Sequence, residues 1–479
     1  MTQVTLMLSQ LILLPIQIRI WGQAETAFWN AALALATITS VVDCGLRTAG
    51  HAELIKANSD PATFPAERLA FKQIWSWIRL LILLVTTLLI GTDFIRGRIW
   101  NPNADSSWHW MLILSYALEA VLVIRITYLD SLGFYRGAEA SYFGFAVLRL
   151  SVSIPAILLF HFKAAGLAVV FLSTSLVALL AQGIWLRRKV PLLHLNHRFV
   201  ALSWRSLALA RFTVAEPIAN WTRLSFPVLI ISQIASPMAV NTYVGLRAVF
   251  GAGRTTIQQL ARVASVEVLK LRIQGHVQRA DTLLTLFVTT AICLGSCLSF
   301  FIIIDNLRIL GLYMKHFDRT LFQQVALAFS LTAPFFSYQI SMNLMFRMGE
   351  LAKVAHRHYG FIACALSFAV VSLFVKSLPV YLALLVLAEL LLSFSFLGSR
   401  AAVRLAALTS LAIAGLWLFV HNDVGGWFNG ANMQQITMSS ALFLVSTTTL
   451  ASLLYLSRRS DLRSLKKPET VSPSAVLTQ

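Results

Sequence analysis

The sequence predicts an all-α integral membrane protein of about fourteen transmembrane helices, in two six-helix halves followed by a helical hairpin. Three observations predict it. Hydrophobic residues make up 57% of the 479 and charged residues only 12%, where a soluble chain carries roughly 25%. Apolar runs close to the roughly 20 residues that cross a bilayer recur along the chain. Lys and Arg gather in alternate connecting loops, as the positive-inside rule requires of a multi-pass chain.

The spans fall at residues 4–21, 25–46, 74–92, 108–129, 141–160, 164–186, 212–235, 239–260, 282–304, 321–345, 358–375, 378–398, 404–421 and 435–456. The first is short, and the last two decide between twelve and fourteen. The first run lacks a basic leader and a small-residue cleavage site, so it reads as a span and not as a signal peptide. With the N-terminus inside, Lys and Arg in the inner connections outnumber those outside roughly three to one. This places both termini in the cytoplasm. Trp21, Trp100, Trp108, Trp110 and Trp427 then sit at outer helix ends, and Trp75, Trp77, Trp185 and Trp204 at inner ends, in the positions of interfacial belts.

The longer connections are all on the inner side. Residues 47–73, 187–211 and 262–281 mix apolar residues at helical spacing with Lys, Arg and Gln, the pattern of helices lying on an anionic leaflet. They divide the chain into an N-terminal six-helix lobe over 1–186, a basic inter-lobe segment over 187–211 and a C-terminal six-helix lobe over 212–400. An additional transmembrane hairpin over 401–457 and a basic tail over 458–479, read as disordered, complete it. The halves echo one another. Pro15 and Pro227 interrupt their first helices, and Trp29 and Tyr243 open the helices that follow.

Several chemistries are excluded. The +19 net charge would suggest nucleic acid in a soluble protein; here it is accounted for by topology and by attraction to anionic membrane lipids. No Gly-rich loop ending in Gly-Lys-Ser/Thr is present, so ATP does not drive the protein directly. No cofactor is implied. Cys44, Cys293, Cys297 and Cys364 have no neighbouring His with metal-ligand spacing, and His356 and His358, two apart, make a poor metal site. Gly251-Ala252-Gly253, inside a span, reads as close helix packing.

The informative residues are seven arginines within or at the edge of spans: Arg79, Arg125, Arg149, Arg211, Arg223, Arg247 and Arg254. A guanidinium in hydrocarbon costs at least ~2.5 kcal/mol, so such groups face a protein interior or a wet cavity. Arg79, Arg125 and Arg211 lie close enough to the inner surface to snorkel. Arg223, Arg247, Arg149 and Arg254 are the candidates for a cavity that binds an anion. Arg247 and Arg254, seven apart, share a helix face. Glu216, seven residues before Arg223, could pair with it and reduce it to a helix lock. Glu119, Glu216 and Glu389 are the intramembrane acids. Each is a candidate for proton coupling or for a counter-ion to an arginine.

Two stretches carry a resemblance. The first reads Ile18-Arg19-Ile20-Trp21-Gly22, then Phe28-Trp29, and ends Val42-Asp43-Cys44-Gly45-Leu46-Arg47; the second is Val240-Asn241-Thr242-Tyr243-Val244-Gly245-Leu246-Arg247. They resemble the bacterial oligosaccharide flippases, the polysaccharide transporters of the multidrug, oligosaccharidyl-lipid and polysaccharide exporter superfamily. Asp43 and Gly45 match that family's Asp-x-Gly-Leu motif. Where the family often has an acidic residue, this chain reads Asn220-Trp221-Thr222-Arg223. The resemblance implies a non-enzymatic carrier with two lobes in a pseudo-symmetric V. It would move a polyprenyl-pyrophosphate-linked oligosaccharide across the bacterial inner membrane by alternating access, for surface polysaccharide synthesis. The partners implied are that lipid-linked oligosaccharide, membrane lipids, and a polysaccharide polymerase and chain-length regulator. Two other readings stand beside it: a drug or cation antiporter of the same superfamily, and a membrane glycosyltransferase or polymerase acting on lipid-linked sugars. An arginine-rich cavity argues against the first, and the absence of a large outer loop argues against the second.

Overall fold

The computed structural model describes residues 2–41, 76–91, 108–131, 134–189, 210–304, 318–397 and 400–421, and their regular structure is helical throughout. The N-terminal helices are α1 (Thr2–Trp21), α2 (Gln23–Ala36), α3 (Ser76–Gly91), α4 (His109–Ser131), α5 (Tyr135–Leu158) and α6 (Ala164–Lys189). They are followed by α7 (Ala215–Leu224), α8 (Phe226–Ile234), α9 (Pro237–Ile273), α10 (Val277–Ile304), α11 (Arg319–Thr332), α12 (Tyr338–Arg347), α13 (Leu351–Val375), α14 (Leu378–Phe396) and α15 (Arg400–His421). Short 3₁₀ turns over Thr37–Val41 and Ala333–Ser337 extend α2 and join α11 to α12. Seven described spans are long and apolar enough to cross a membrane, and three shorter apolar helices accompany them. The chain is a multi-pass, all-α membrane protein. The span at 435–456, the tail, the surface segment 47–73, most of 187–211, and Asp43 and Gly45 lie outside the described residues.

One expectation is corrected. The stretch 262–281 is not a separate surface helix: it completes α9 and begins α10. Nothing between Arg254 and Ile273 breaks a helix, so α9 runs on for 37 residues. The break comes at Gly275, whose φ of +81° only glycine adopts cheaply. There Gly275 N–H bonds to the Arg272 carbonyl and His276 N–H to the Leu271 carbonyl, closing a Schellman cap. Trp108 stands at the start of α4, at a helix end as expected, but faces the protein interior: it is 5% exposed and stacks on Trp29, with ring centroids 5.5 Å apart.

Two compact units form. The first takes in α1 to α8, α9 as far as Thr255, α11 as far as Phe329, α13, and α14 as far as Leu392. Its aromatic core lies between α2, α4 and α6, where Trp29, Trp108 and Phe171 meet Leu112, Ile113 and Leu167. Hydrogen bonds tie the helix ends of one face together. Trp21 Nε1–H donates to the Phe162 carbonyl at 2.8 Å, and Glu25 accepts from Ala164 N–H at 3.1 Å. The turns after α1 and α5 therefore lie side by side, so those two helices end on the same side.

The second unit takes the rest of α9 with α10, the end of α11, α12, the end of α14 and α15. Here α10 lies directly on the 3₁₀ turn. A Cβ on Gly295 would stand 2.2 Å from the Ala333 carbonyl oxygen, so only glycine permits the contact. Pro334 explains the turn. It offers no N–H to the Ser330 carbonyl, and that carbonyl takes the Ser299 hydroxyl at 2.9 Å instead. Ser410 of α15 serves the next carbonyl, Leu331, at 3.1 Å.

Candidate functional site

Proline also shapes the candidate site. Pro227 cannot donate to the Arg223 carbonyl, and Val228 N–H turns to Ser225 at 3.1 Å. The predicted span 212–235 is thereby split into α7 and α8 at Ser225. The Leu224 carbonyl, left without its helical donor, accepts from Arg247 Nη1 of α9. One turn earlier on α7, Asn220 accepts from Arg254 Nη2 at 3.2 Å. Arg247 and Arg254 do share a face of α9, and it is the face turned to α7.

Arg223 is 6% exposed. It bonds Glu389 of α14 through Nε, a partner on another helix that sequence spacing did not point to. The Arg223 guanidinium also lies 4.9 Å from the Phe361 ring of α13, in cation–π range. His358, one turn before Phe361, is 1% exposed and bonds its own helix at the Val354 carbonyl, 2.9 Å away. The charges of Arg223 and Arg254 both reach it. Helices α7, α9, α13 and α14 thus gather Arg223, Arg254, Asn220, His358 and Glu389 into one polar group within an apolar unit.

Arg149 belongs to a second group. Its Nη1 donates to Glu119 at 2.8 Å and its Nη2 to Ser175 at 2.8 Å, with Ser115 at 3.4 Å. Phe145 and Phe171 lie 4.4 and 4.6 Å from the guanidinium, and Tyr116 5.6 Å. The pair is sealed among α4, α5 and α6, with side chains 9% and 12% exposed. Of the four candidate arginines, Arg247 is the most accessible, being half-buried where the other three are buried.

Of the remaining arginines, Arg125 donates to the Leu179 carbonyl at 3.0 Å, and Arg211 lies 4.5 Å from the Phe212 ring. Sequence reading missed Tyr116, His358, Phe361 and the Ser115–Ser175 pair. No spacing rule marks them, because they gain significance only from helices that are remote in sequence. Among the described residues no group of three or more His, Cys, Asp or Glu could hold a metal ion.

No family model and no curated protein matches this chain. Solved structures do. An inward-facing multidrug resistance MATE family transporter of the MOP superfamily matches with a TM-score of 0.62 at 13% identity, over 86% of this chain and 96% of that one. An outward-facing structure of such a transporter gives 0.51 at 12% identity over the same shares. A eukaryotic MATE transporter gives 0.50 at 12% identity, over 87% of this chain and 95% of that one. The chain shares the fold of these solved transporters.

Proposed function

We propose that this chain is a secondary carrier that works by alternating access in the bacterial inner membrane, both termini cytoplasmic. Its cargo is a polyprenyl-pyrophosphate-linked oligosaccharide destined for a surface polysaccharide. The observation that carries this reading is the charge of the α7–α9 group. Arg223, Arg247 and Arg254 outnumber Glu216 and Glu389, and α7 and α9 bring the three arginines close to one another. A pyrophosphate needs cations where water is scarce, and arginine offers paired N–H donors that match its oxygens. Arg247, half-buried, is the residue to meet cargo first. Arg223 and Arg254 set the positive field behind it. The V arrangement of two six-helix lobes belongs to this reading, as do the polymerase and chain-length regulator as partners.

The second reading is a drug or cation antiporter. It is favoured by the fold comparison, since the solved structures of like fold include multidrug resistance transporters. The two readings separate in a strain lacking the chain. Arg223→Ala and Arg247→Ala, with surface polysaccharide normalised to the amount of protein in the membrane, are expected to abolish it. Normal polysaccharide in both, with altered resistance to cationic drugs, would overturn the flippase reading in favour of the antiporter.

A further inference from the structure

The polar contacts between α2 and the α7–α9 stretch are used by neither arginine group. Asn241 of α9 is fully buried and Asn30 of α2 is 7% exposed. Asn30 Nδ2 donates to Asn241 Oδ1 at 3.2 Å. Asn241 Nδ2 lies 2.7 Å from the Gln23 side-chain oxygen and 2.8 Å from the Gln23 backbone carbonyl. Deeper along α2, Trp221 Nε1–H reaches the Ala34 carbonyl at 3.3 Å, and the Thr37 and Ser225 hydroxyls are 2.9 Å apart. Residues 23 to 37 cover about 20 Å of helix, so this seam runs through more than half of a hydrocarbon core of about 30 Å. It starts where the chain turns after α1 and again before α9, so it closes that one face.

We propose that Gln23, Asn30 and Asn241 form a polar latch that shuts this face of the carrier and must part in every transport cycle. The proposal rests on the alternating-access reading above. The residue type is the reason. A seam of interlocked apolar side chains would lose its packing without compensation on opening. A buried ion pair would leave two costly charges if it parted dry. An amide pair is satisfied in both states: by its partner when closed, and by water when a wet path opens between the helices. Hydrogen bonds between membrane helices are individually weak, which lets the latch open on the cycle's timescale. Trp221 of α7 belongs to the seam, so the seam and the cargo group around Arg223 share that helix.

The test uses the full-length chain with its four native cysteines replaced, carrying Asn30→Cys and Asn241→Cys together. A short bis-methanethiosulfonate linker, which joins two thiols through disulfides with loss of sulfinate, is added to cells or membrane vesicles, and transport is read before linking, after it, and after reduction. Efficient cross-linking that cuts transport at least tenfold, reversed by reductant, is the expected result. A cross-linked carrier that transports as fast as the reduced one overturns the latch, and so does failure to cross-link under all conditions. Should the reduced double variant be inactive, Thr37→Cys with Ser225→Cys asks the same question deeper in the seam, and the same two results decide it. The cargo reading fails separately: cross-linking that stops drug efflux while polysaccharide never depended on the chain keeps the latch and discards the flippase.

Discussion

Arg223 on α7 and Glu389 on α14 are 166 residues apart in sequence, yet they form a buried ion pair, with Phe361 of α13 beneath the guanidinium. Removing one partner strands a charge in an apolar interior, at about 3–5 kcal/mol, whereas removing both leaves no charge to strand. Glu389→Ala is therefore expected to lower thermal stability in detergent markedly, and Arg223→Met with Glu389→Leu to regain most of it. Equal losses in the single and double variants would show that the pair does not hold α7 to α14. The double variant should still fail in transport, which separates cargo binding from stability.

Proton coupling predicts a different pattern. Glu119 and Glu389 already serve as counter-ions to Arg149 and Arg223. Replacing Glu119, Glu216 and Glu389 one at a time by Gln is expected to yield one variant that still exchanges substrate but no longer responds to a pH gradient. The measurement is substrate exchange in vesicles with and without the gradient. Unchanged gradient dependence in all three would remove these carboxylates from the coupling step.

Arg247 has two roles that can be told apart. It satisfies the Leu224 carbonyl at the α7–α8 break, and it is the most accessible of the four candidate arginines. Arg247→Lys keeps a donor for the carbonyl but loses the planar fork. It is expected to keep wild-type thermal stability while transport falls about tenfold or more, the loss of roughly one charge-assisted hydrogen bond. Arg247→Ala is expected to lower both stability and transport.

Gly295→Ala tests the contact between α10 and the Ala333–Ser337 turn. The new methyl would have to enter the space of the Ala333 backbone, which cannot rotate away as a side chain can. A loss of about 1–3 kcal/mol is expected from overpacking, seen as a lower unfolding temperature and a reduced membrane level. Wild-type stability in this variant would mean that α10 and the turn separate readily.

Much of the fold was legible because a bilayer demands long apolar runs, and helices such as α4, α6 and α10 supply them without interruption. Pro227 was legible as an interruption of its span, although the residue that repairs the break was not. Periodicity assigns each residue a face but does not say which helix lies against it. That is why Glu389, 166 residues from Arg223, could not be found as its partner from spacing. The site arginines themselves stood out, since charge inside a span is costly wherever it points. His358, Tyr116 and the two asparagines did not, because a single polar residue in an apolar helix has meaning only once its neighbour is known. The echo between Trp29 and Tyr243 held a clue: Asn30 and Asn241, each close to one of those aromatic residues, are the pair that meets.

The two proline breaks differ in the order in which they can be completed on the ribosome. The Ser330 carbonyl is served by Ser299, which has emerged 31 residues earlier, so that acceptor has its donor as soon as it enters the membrane. The Leu224 carbonyl must wait for Arg247, made 23 residues later. During biogenesis the α7–α8 break thus passes through an interval with an exposed acceptor in lipid, ended only when α9 follows it in. An unmet backbone carbonyl is costly in lipid, so this single hydrogen bond favours insertion of α7, α8 and α9 together over insertion helix by helix.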